Sequence, residues 1–338
     1  MNRYLLLAFL ALAAAAPARA AVGIAALEVA GNGRKFTAEV WYPAADGAKT
    51  EDFSPRAPIR PIAIARDAAP AALAERRPLV VASHGNWGTR FSQGWLALRL
   101  VEAGYLVLTT THPGTDAELQ TVAGRHRLWD RSRDVSAALD EVLKHPKWGA
   151  LIDASRIGFA GHSFGGWTAV SLAGGRYDPA RQRDYCTKLA RKDFYCENIL
   201  KDDVAGVPVQ DAAQSFRDPR IRAFYIMAPG LLRASPAIRS RRSPRHSWST
   251  PRASTRSSSP SRTPRCWRSR FPAREIVRPI GHFTYAPECR PLVGAVLARA
   301  AGVPICNDPD GVDRAKVHAQ VARDAIEFFA ATLKGAGR

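Results

Sequence analysis

The hexapeptide Gly161-His162-Ser163-Phe164-Gly165-Gly166 constrains the fold of this chain more than any other stretch. It follows the short apolar run Arg156-Ile157-Gly158-Phe159-Ala160 and precedes Trp167-Thr168-Ala169-Val170-Ser171-Leu172, which can start a helix. A G-x-S-x-G pattern between a strand and a helix demands a turn so tight that the serine takes up strained backbone. A side chain at either flanking glycine would collide with the neighbouring strand or helix. The spacing therefore predicts a Ser163 hydroxyl held above a sheet edge, with the Phe164 N–H beside it, placed to receive a developing oxyanion.

The surrounding pattern supplies the sheet. Val22 to Ala30 and Phe36 to Tyr42 read as an antiparallel pair turned by Gly31-Asn32-Gly33, with Pro43 ending the second strand. Residues 44–77 are rich in Pro and Ala and read as loop. From Pro78 the chain alternates strand and helix: Leu79–Ala82, a helix over Trp95–Glu102 capped by Gly104, and Tyr105–Leu108. An amphipathic helix follows over Leu128–Lys144, with Leu128, Val135, Leu139, Val142 and Leu143 on one stripe. Further strands are predicted at Ile221–Met227 and Ile276–Ile280, and a closing helix carries Val317, Val321, Phe328 and Leu333 up to Gly335. Repeated β–α units with near-continuous apolar strands predict an α/β fold, a mostly parallel central sheet with helices on both faces. Residues 176–220 are polar, contain Cys186 and Cys196, and read as a small cap insertion over the active-site edge.

The first twenty residues read as a secretory signal peptide. Arg3 gives a positive start, Tyr4 to Ala16 is apolar, and Ala18-Arg19-Ala20 is an A-x-A cleavage site. The remaining residues 21–338 suffice for one large domain. No later segment approaches the roughly 18 apolar residues of a membrane span, so a periplasmic or secreted protein without stable membrane insertion is expected. Cysteine use agrees with export. Cys186, Cys196, Cys289 and Cys306 form an even set, for which 186–196 and 289–306 are the simplest of three pairings, and Cys266 is left over. None of the five has metal-ligand spacing or sits beside a histidine, so neither a metal site nor thiol catalysis is expected.

The net charge of +19 invites a nucleic-acid role, but its distribution opposes one. The segment 232–274 holds twelve Arg and no Asp, Glu or Lys, leaving 37 basic against 30 acidic residues elsewhere, or +7. A total made by one segment describes that segment rather than a binding face. Aromatic platforms for base stacking are nearly absent there, with Trp248, Trp267 and Phe271 the full set. No nucleic-acid partner is expected.

A serine hydroxyl needs a base within hydrogen-bond reach. Gly281-His282-Phe283, after the last strand, supplies one late in the chain. The other histidines fit worse. His162 lies inside the turn and reads as packing, while His126, His145 and His318 lie on or beside helices and read as solvated. His246 belongs to the Arg-rich segment, and His112 ends a strand as a candidate pocket residue. A second oxyanion donor belongs on the loop after Leu79–Ala82, where the Asn86 backbone N–H is the candidate.

Taken together, Ser83-His84-Gly85-Asn86, the hexapeptide around Ser163 and Gly281-His282-Phe283 resemble the α/β-hydrolase superfamily. The spacing resembles the branch of predicted dienelactone hydrolases and platelet-activating-factor acetylhydrolase-like esterases. The resemblance runs from about Val22 to Leu333 with one break. It implies Ser163 as nucleophile, His282 as general base and then acid, and the Asn86 and Phe164 amides as oxyanion hole. It also implies cofactor-free acyl-enzyme chemistry on a small-molecule ester or lactone.

The break falls where the resemblance implies a triad acid, within 232–274. No Asp or Glu occurs from Pro219 through Arg274; Glu275 lies in the last strand, and Asp308, Asp310 and Asp313 follow the histidine. The segment's twelve Arg, eleven Ser and six Pro show no strand-like apolar continuity. Its abrupt entry and exit have the look of an altered reading frame, which resequencing codons 230 to 276 decides; a genuine disordered insertion is the other reading. The expectation is an exported serine hydrolase. The alternatives are a catalytically impaired protein of the same fold lacking the triad acid, and a basic exported binding protein.

Overall fold

Asn32 and Gly33 both take positive φ, 53° and 73°, the backbone of a two-residue hairpin turn. They join β1 (Val22–Gly31) to β2 (Arg34–Pro43), paired antiparallel from Val22↔Pro43 to Gly31↔Arg34. The computed structural model describes residues 20–55, 59–189, 194–229, 247–253, 273–291, 296 and 305–333. The signal-peptide reading of residues 1–19, Cys266, His246 and most of 232–274 lie outside the described residues.

The stretch expected as loop, 44–77, contains two short strands instead. β3 (Glu51–Phe53) pairs antiparallel with β4 (Ile62–Arg66), which runs parallel to β1 through Gly23↔Ala65 and Ile24↔Arg66. Three to five residues are too few for a readable alternation. β5 (Arg77–Ser83), α1 (Gly94–Glu102) and β6 (Leu106–Thr110) follow, and Gly104, at φ 92°, turns the chain between helix and strand. α2 (Val122–His126) and α4 (Pro146–Leu151) flank the long α3 (Asp130–Lys144). β7 (Ile152–His162) leads into α5 (Phe164–Leu172), and β8 is Ile221–Met227.

β9 (Ser247–Ala253) lies inside the segment in which the residue pattern offers no strand. It pairs parallel with β8 through Ala223↔Ser247 to Tyr225↔Ser249, and with β10 (Ala273–Arg278) along its length. Pairing with β8 stops two residues before Pro251, which has no N–H to give. A parallel ladder is made by backbone, so it forms here on a sequence without an apolar run.

Among the described residues, ten strands lie in the order β10-β9-β8-β7-β5-β6-β2-β1-β4-β3, parallel from β6 through β5 and β7 to β10. Alternation along β5 sends Leu79 and Val81 to one face with Val135, Leu139, Trp167 and Val170, and Val80 and Ala82 to the other with Leu96, Leu100, Val321 and Phe329. α3 and α5 thus cover one face; α1 and the last helix, α8 (Arg314–Thr332), cover the other.

Within the insertion, α6 (Pro179–Leu189) and α7 (Phe194–Lys201) are joined by the Cys186–Cys196 disulfide. The insertion is tied to the body by Arg125 Nη2 to Asp202 Oδ1 at 2.5 Å and Arg133 Nη2 to Asp211 Oδ2 at 2.8 Å. A second disulfide joins Cys289 to Cys306. Among the described residues, no helix is long and apolar enough to cross a membrane.

Candidate active site

Ser163 sits between the end of β7 and the start of α5 with φ 56° and ψ −112°, a conformation that a non-glycine residue holds only when its surroundings force it. The forcing atoms are identifiable. A Cβ on Gly161 would lie 2.2 Å from the Gly165 carbonyl oxygen, and one on Gly165 would lie 2.1 Å from that of Ser83. Both glycines are therefore required for the turn to close against β5.

His282 begins a 3₁₀ turn (His282–Tyr285) after β10, and its Nε2 lies 3.0 Å from Ser163 Oγ. Both side chains are half-buried. The loop after β5 packs against the serine, since a Cβ on Gly85 would lie 3.0 Å from Ser163 Cβ. In that loop Trp87 N–H donates to Thr115 O and Gly88 N–H to Gly85 O, while Asn86 N–H meets no acceptor among the described residues. Phe164 N–H is the first amide of α5.

The fold itself is shared with several solved structures. A ferulic acid esterase from Streptomyces cinnamoneus superposes with a TM-score of 0.60 at 19% identity, over 96% of this chain and 94% of that one. A dienelactone hydrolase-like promiscuous phosphotriesterase from metagenomic libraries gives 0.52 at 15% identity, over 93% and 100%. The chain has the α/β-hydrolase fold. A puromycin-hydrolyzing peptidase of Mycobacterium tuberculosis gives 0.51 at 15% identity, covering 91% of this chain and 39% of that one. No protein-family model matches the chain, and no curated protein matches it in sequence.

Beneath the hydrolase-fold turn lies a polar core that the residue pattern did not reveal. His112, expected as a pocket residue, is fully buried, so it faces no pocket. Its Nδ1–H donates to Asp134 Oδ2 at 3.1 Å, and its Nε2 lies 2.9 Å from Ser83 Oγ and 3.0 Å from Thr110 Oγ1. By distance Ser83, His112 and Asp134 repeat a serine–histidine–aspartate chain, but Ser83 and His112 are wholly enclosed and no substrate reaches them. Burial holds His112 well below the ordinary imidazole value and pushes Asp134 up to about 6.

Arg131 closes the network. Its guanidinium donates to Thr168 Oγ1 at 3.0 Å, Thr115 Oγ1 at 2.6 Å, Ser83 Oγ at 3.1 Å and His84 O, and burial lowers it to about 9. It thereby joins the Asn86 loop, the loop after β6 and α5. A readable signal existed: position 131 falls on the same stripe of α3 as Val135, Leu139 and Val142. An arginine on an apolar stripe announces a buried charge with partners.

The turn that carries His282 is held mainly by its carbonyl groups. His162 Nε2–H donates to His282 O at 3.0 Å, His318 Nε2–H to Thr284 O at 2.9 Å, and Trp95 Nε1–H to Tyr285 O at 3.2 Å. Arg314 Nη1 donates to Pro287 O and the Arg60 amide to Glu288 O, each at 2.8 Å. Asp308, after the histidine in sequence, accepts from Thr284 Oγ1 at 2.7 Å and from Arg314 Nε at 2.9 Å. His162 and His318 are therefore tethers, and His318 is buried, against the expectation of a solvated side chain. His126 is buried too, 3.1 Å from Asp202 Oδ2, and His145 accepts from Lys147 N at 3.2 Å, capping α4.

Two cavities of about 510 and 280 Å3 lie elsewhere, one between the β1–β2 turn and α3, the other between α1 and α8; neither is lined by Ser163 or His282. Among the described residues, no group of three His, Cys, Asp or Glu is disposed to hold a metal ion.

Proposed function

We propose that this chain is an exported serine hydrolase that cleaves carboxylic esters or lactones through an acyl-enzyme. The observation that carries the reading is the 3.0 Å approach of His282 Nε2 to the hydroxyl of a serine held at φ 56°. In the proposed reaction, Ser163 Oγ attacks the ester carbonyl carbon as its proton passes to His282 Nε2. The oxyanion formed is met by the Asn86 and Phe164 amides. His282 then protonates the departing alkoxide, and a water, deprotonated by the same nitrogen, attacks the acyl-enzyme to free the acid and the serine. No cofactor enters these steps. The esterase and dienelactone hydrolase-like neighbours support the substrate class, the two disulfides support an oxidising compartment, and residues 176–220 serve as the cap.

One observation favours a second reading, an impaired hydrolase: no Asp or Glu stands between Pro219 and Arg274, where the acid is expected. Loss of that group slows turnover about 10⁴-fold while leaving the nucleophile in place. Two measurements separate the readings. A fluorophosphonate probe should label the protein and fail to label Ser163→Ala; absence of labelling in the native chain rejects the hydrolase. Labelling without measurable hydrolysis of p-nitrophenyl acetate identifies the impaired form.

A further inference from the structure

We propose that Trp87 and Leu119 form an apolar acyl-binding platform beside Ser163, selecting esters whose acyl group is an aromatic ring or an alkyl chain. The inference rests on the serine hydrolase reading and names its substrate class. Trp87 is a large aromatic with 56% of its surface exposed, and Leu119 is 50% exposed. A single exposed apolar residue is ordinary, but these two lie on adjoining segments, the first of which packs against Ser163 through Gly85. Trp87 N–H donates to Thr115 O at 3.0 Å, Ala117 N–H donates to Gly88 O at 2.8 Å, and Gly88 bridges Asp116 in parallel. The second segment is held by its own turn, in which Asp116 Oδ1 accepts from the amides of Glu118 and Leu119 at 2.8 and 2.9 Å. The backbone that carries the platform is thus held before any ligand arrives, which lowers the ordering cost of binding.

Position and backbone point the same way. Trp87 stands two residues after Gly85, whose Cβ position lies 3.0 Å from Ser163 Cβ, so its Cα is within about 7 Å of Gly85. Its φ is 62°, where a bulky side chain is strained and a glycine would be at ease. Strain of this kind persists where the surroundings hold the residue in it, and it gathers at active sites and ligand clamps. The direction of proton delivery assigns the platform to the acyl half. His282 must protonate the leaving oxygen, so the alcohol faces the base, and the acyl group is left to the wall bearing the Asn86 loop. An indole face suits flat or linear apolar groups and offers them no charge.

The test uses methyl-, hexyl- and benzylphosphonate p-nitrophenyl esters on the full chain. Ser163 Oγ attacks phosphorus, its proton passes to His282, and p-nitrophenolate leaves in a single burst whose rate needs no turnover. We expect the native chain to react about tenfold faster with the benzyl or hexyl ester than with the methyl ester. Trp87→Ala and Trp87→Gly should bring that ratio close to one, the glycine variant doing so without backbone strain. A benzyl preference identifies an aryl acyl group and a hexyl preference an alkyl one. A ratio unchanged in both variants, including a parallel fall of all three rates, overturns the platform. No burst from the native chain, together with no fluorophosphonate labelling, removes the hydrolase reading itself and the platform with it.

Discussion

Arg131 concentrates much of the cost of building this site. It is buried to 1% exposure with four acceptors around its guanidinium, and the charge is balanced by Asp134 and Asp116. Removing it leaves those acceptors enclosed without a donor. Arg131→Met is expected to lower stability by about 3–5 kcal/mol, the usual result of breaking a buried charged network. Arg131→Lys keeps the charge but offers three donors on a point ammonium, so it should lose less. Urea unfolding midpoints check both; a methionine variant as stable as the native chain would show that the network contributes nothing. At this scale the sequence was legible in part. The meeting of Ser163 with His282 was readable in spacing, because a strained turn and a late histidine leave marks in glycine and chain order. His162 and His318 did not, since what they do is donate to carbonyls more than thirty residues away, and nothing local records that.

The element that decides the position of the His282 imidazole is the turn His282–Tyr285, and the Cys289–Cys306 disulfide holds the segment just after it. The bridge closes a loop of 17 residues, for which chain entropy gives about 3 kcal/mol. A Cys289→Ser/Cys306→Ser variant should melt several degrees lower and react more slowly with a fluorophosphonate. Thermal unfolding and labelling rates read both effects, and a variant matching the native chain in each would show the turn to be set by its carbonyl tethers alone. β9 teaches the opposite lesson about elements. Its residues, Ser-Trp-Ser-Thr-Pro-Arg-Ala, carry no strand pattern, yet the backbone pairs between β8 and β10. Patterns of apolar side chains report burial, whereas a ladder asks for N–H and C=O groups that almost every residue has. For the same reason β3 and β4, three and five residues long, were not visible in a Pro/Ala-rich stretch.

For the whole molecule, the count of buried imidazoles sets the response to acid. Burial holds His84, His112 and His162 well below the ordinary value, and pushes His318 down to about 4. In the unfolded chain each takes up a proton near pH 6.5. Below that pH the unfolded chain binds protons that the folded chain refuses, so the stability these groups confer is complete above pH 6.5 and drains as pH falls toward 4. Asp134, pushed up to about 6 by burial, acts in the reverse sense: what it confers is present below about pH 4 and lost as pH rises through 6. Burial lowers His126 and raises Glu39 as well, so five imidazoles stand against two carboxyls, and the imidazoles outnumber them. His318 alone corresponds to on the order of 3 kcal/mol between pH 6.5 and 4. Tm should therefore be highest near neutrality and fall steadily from pH 6.5 to 4.5; a Tm that rises over that interval would contradict the assignment. The architecture itself was legible from the order of apolar runs, because a parallel sheet buried on both faces writes each strand as a continuous stretch.

The separation of Ser163 from His282 has a temporal side. They stand 119 residues apart in the chain, and synthesis delivers the serine first. β5, β6, β7 and α5 can associate before β10 and α8 have docked. A serine hydroxyl without its base is a weak nucleophile at neutral pH. On the function proposed above, the chain stays chemically silent while it folds, and reactivity switches on only when β10 and α8 dock and carry the imidazole into place.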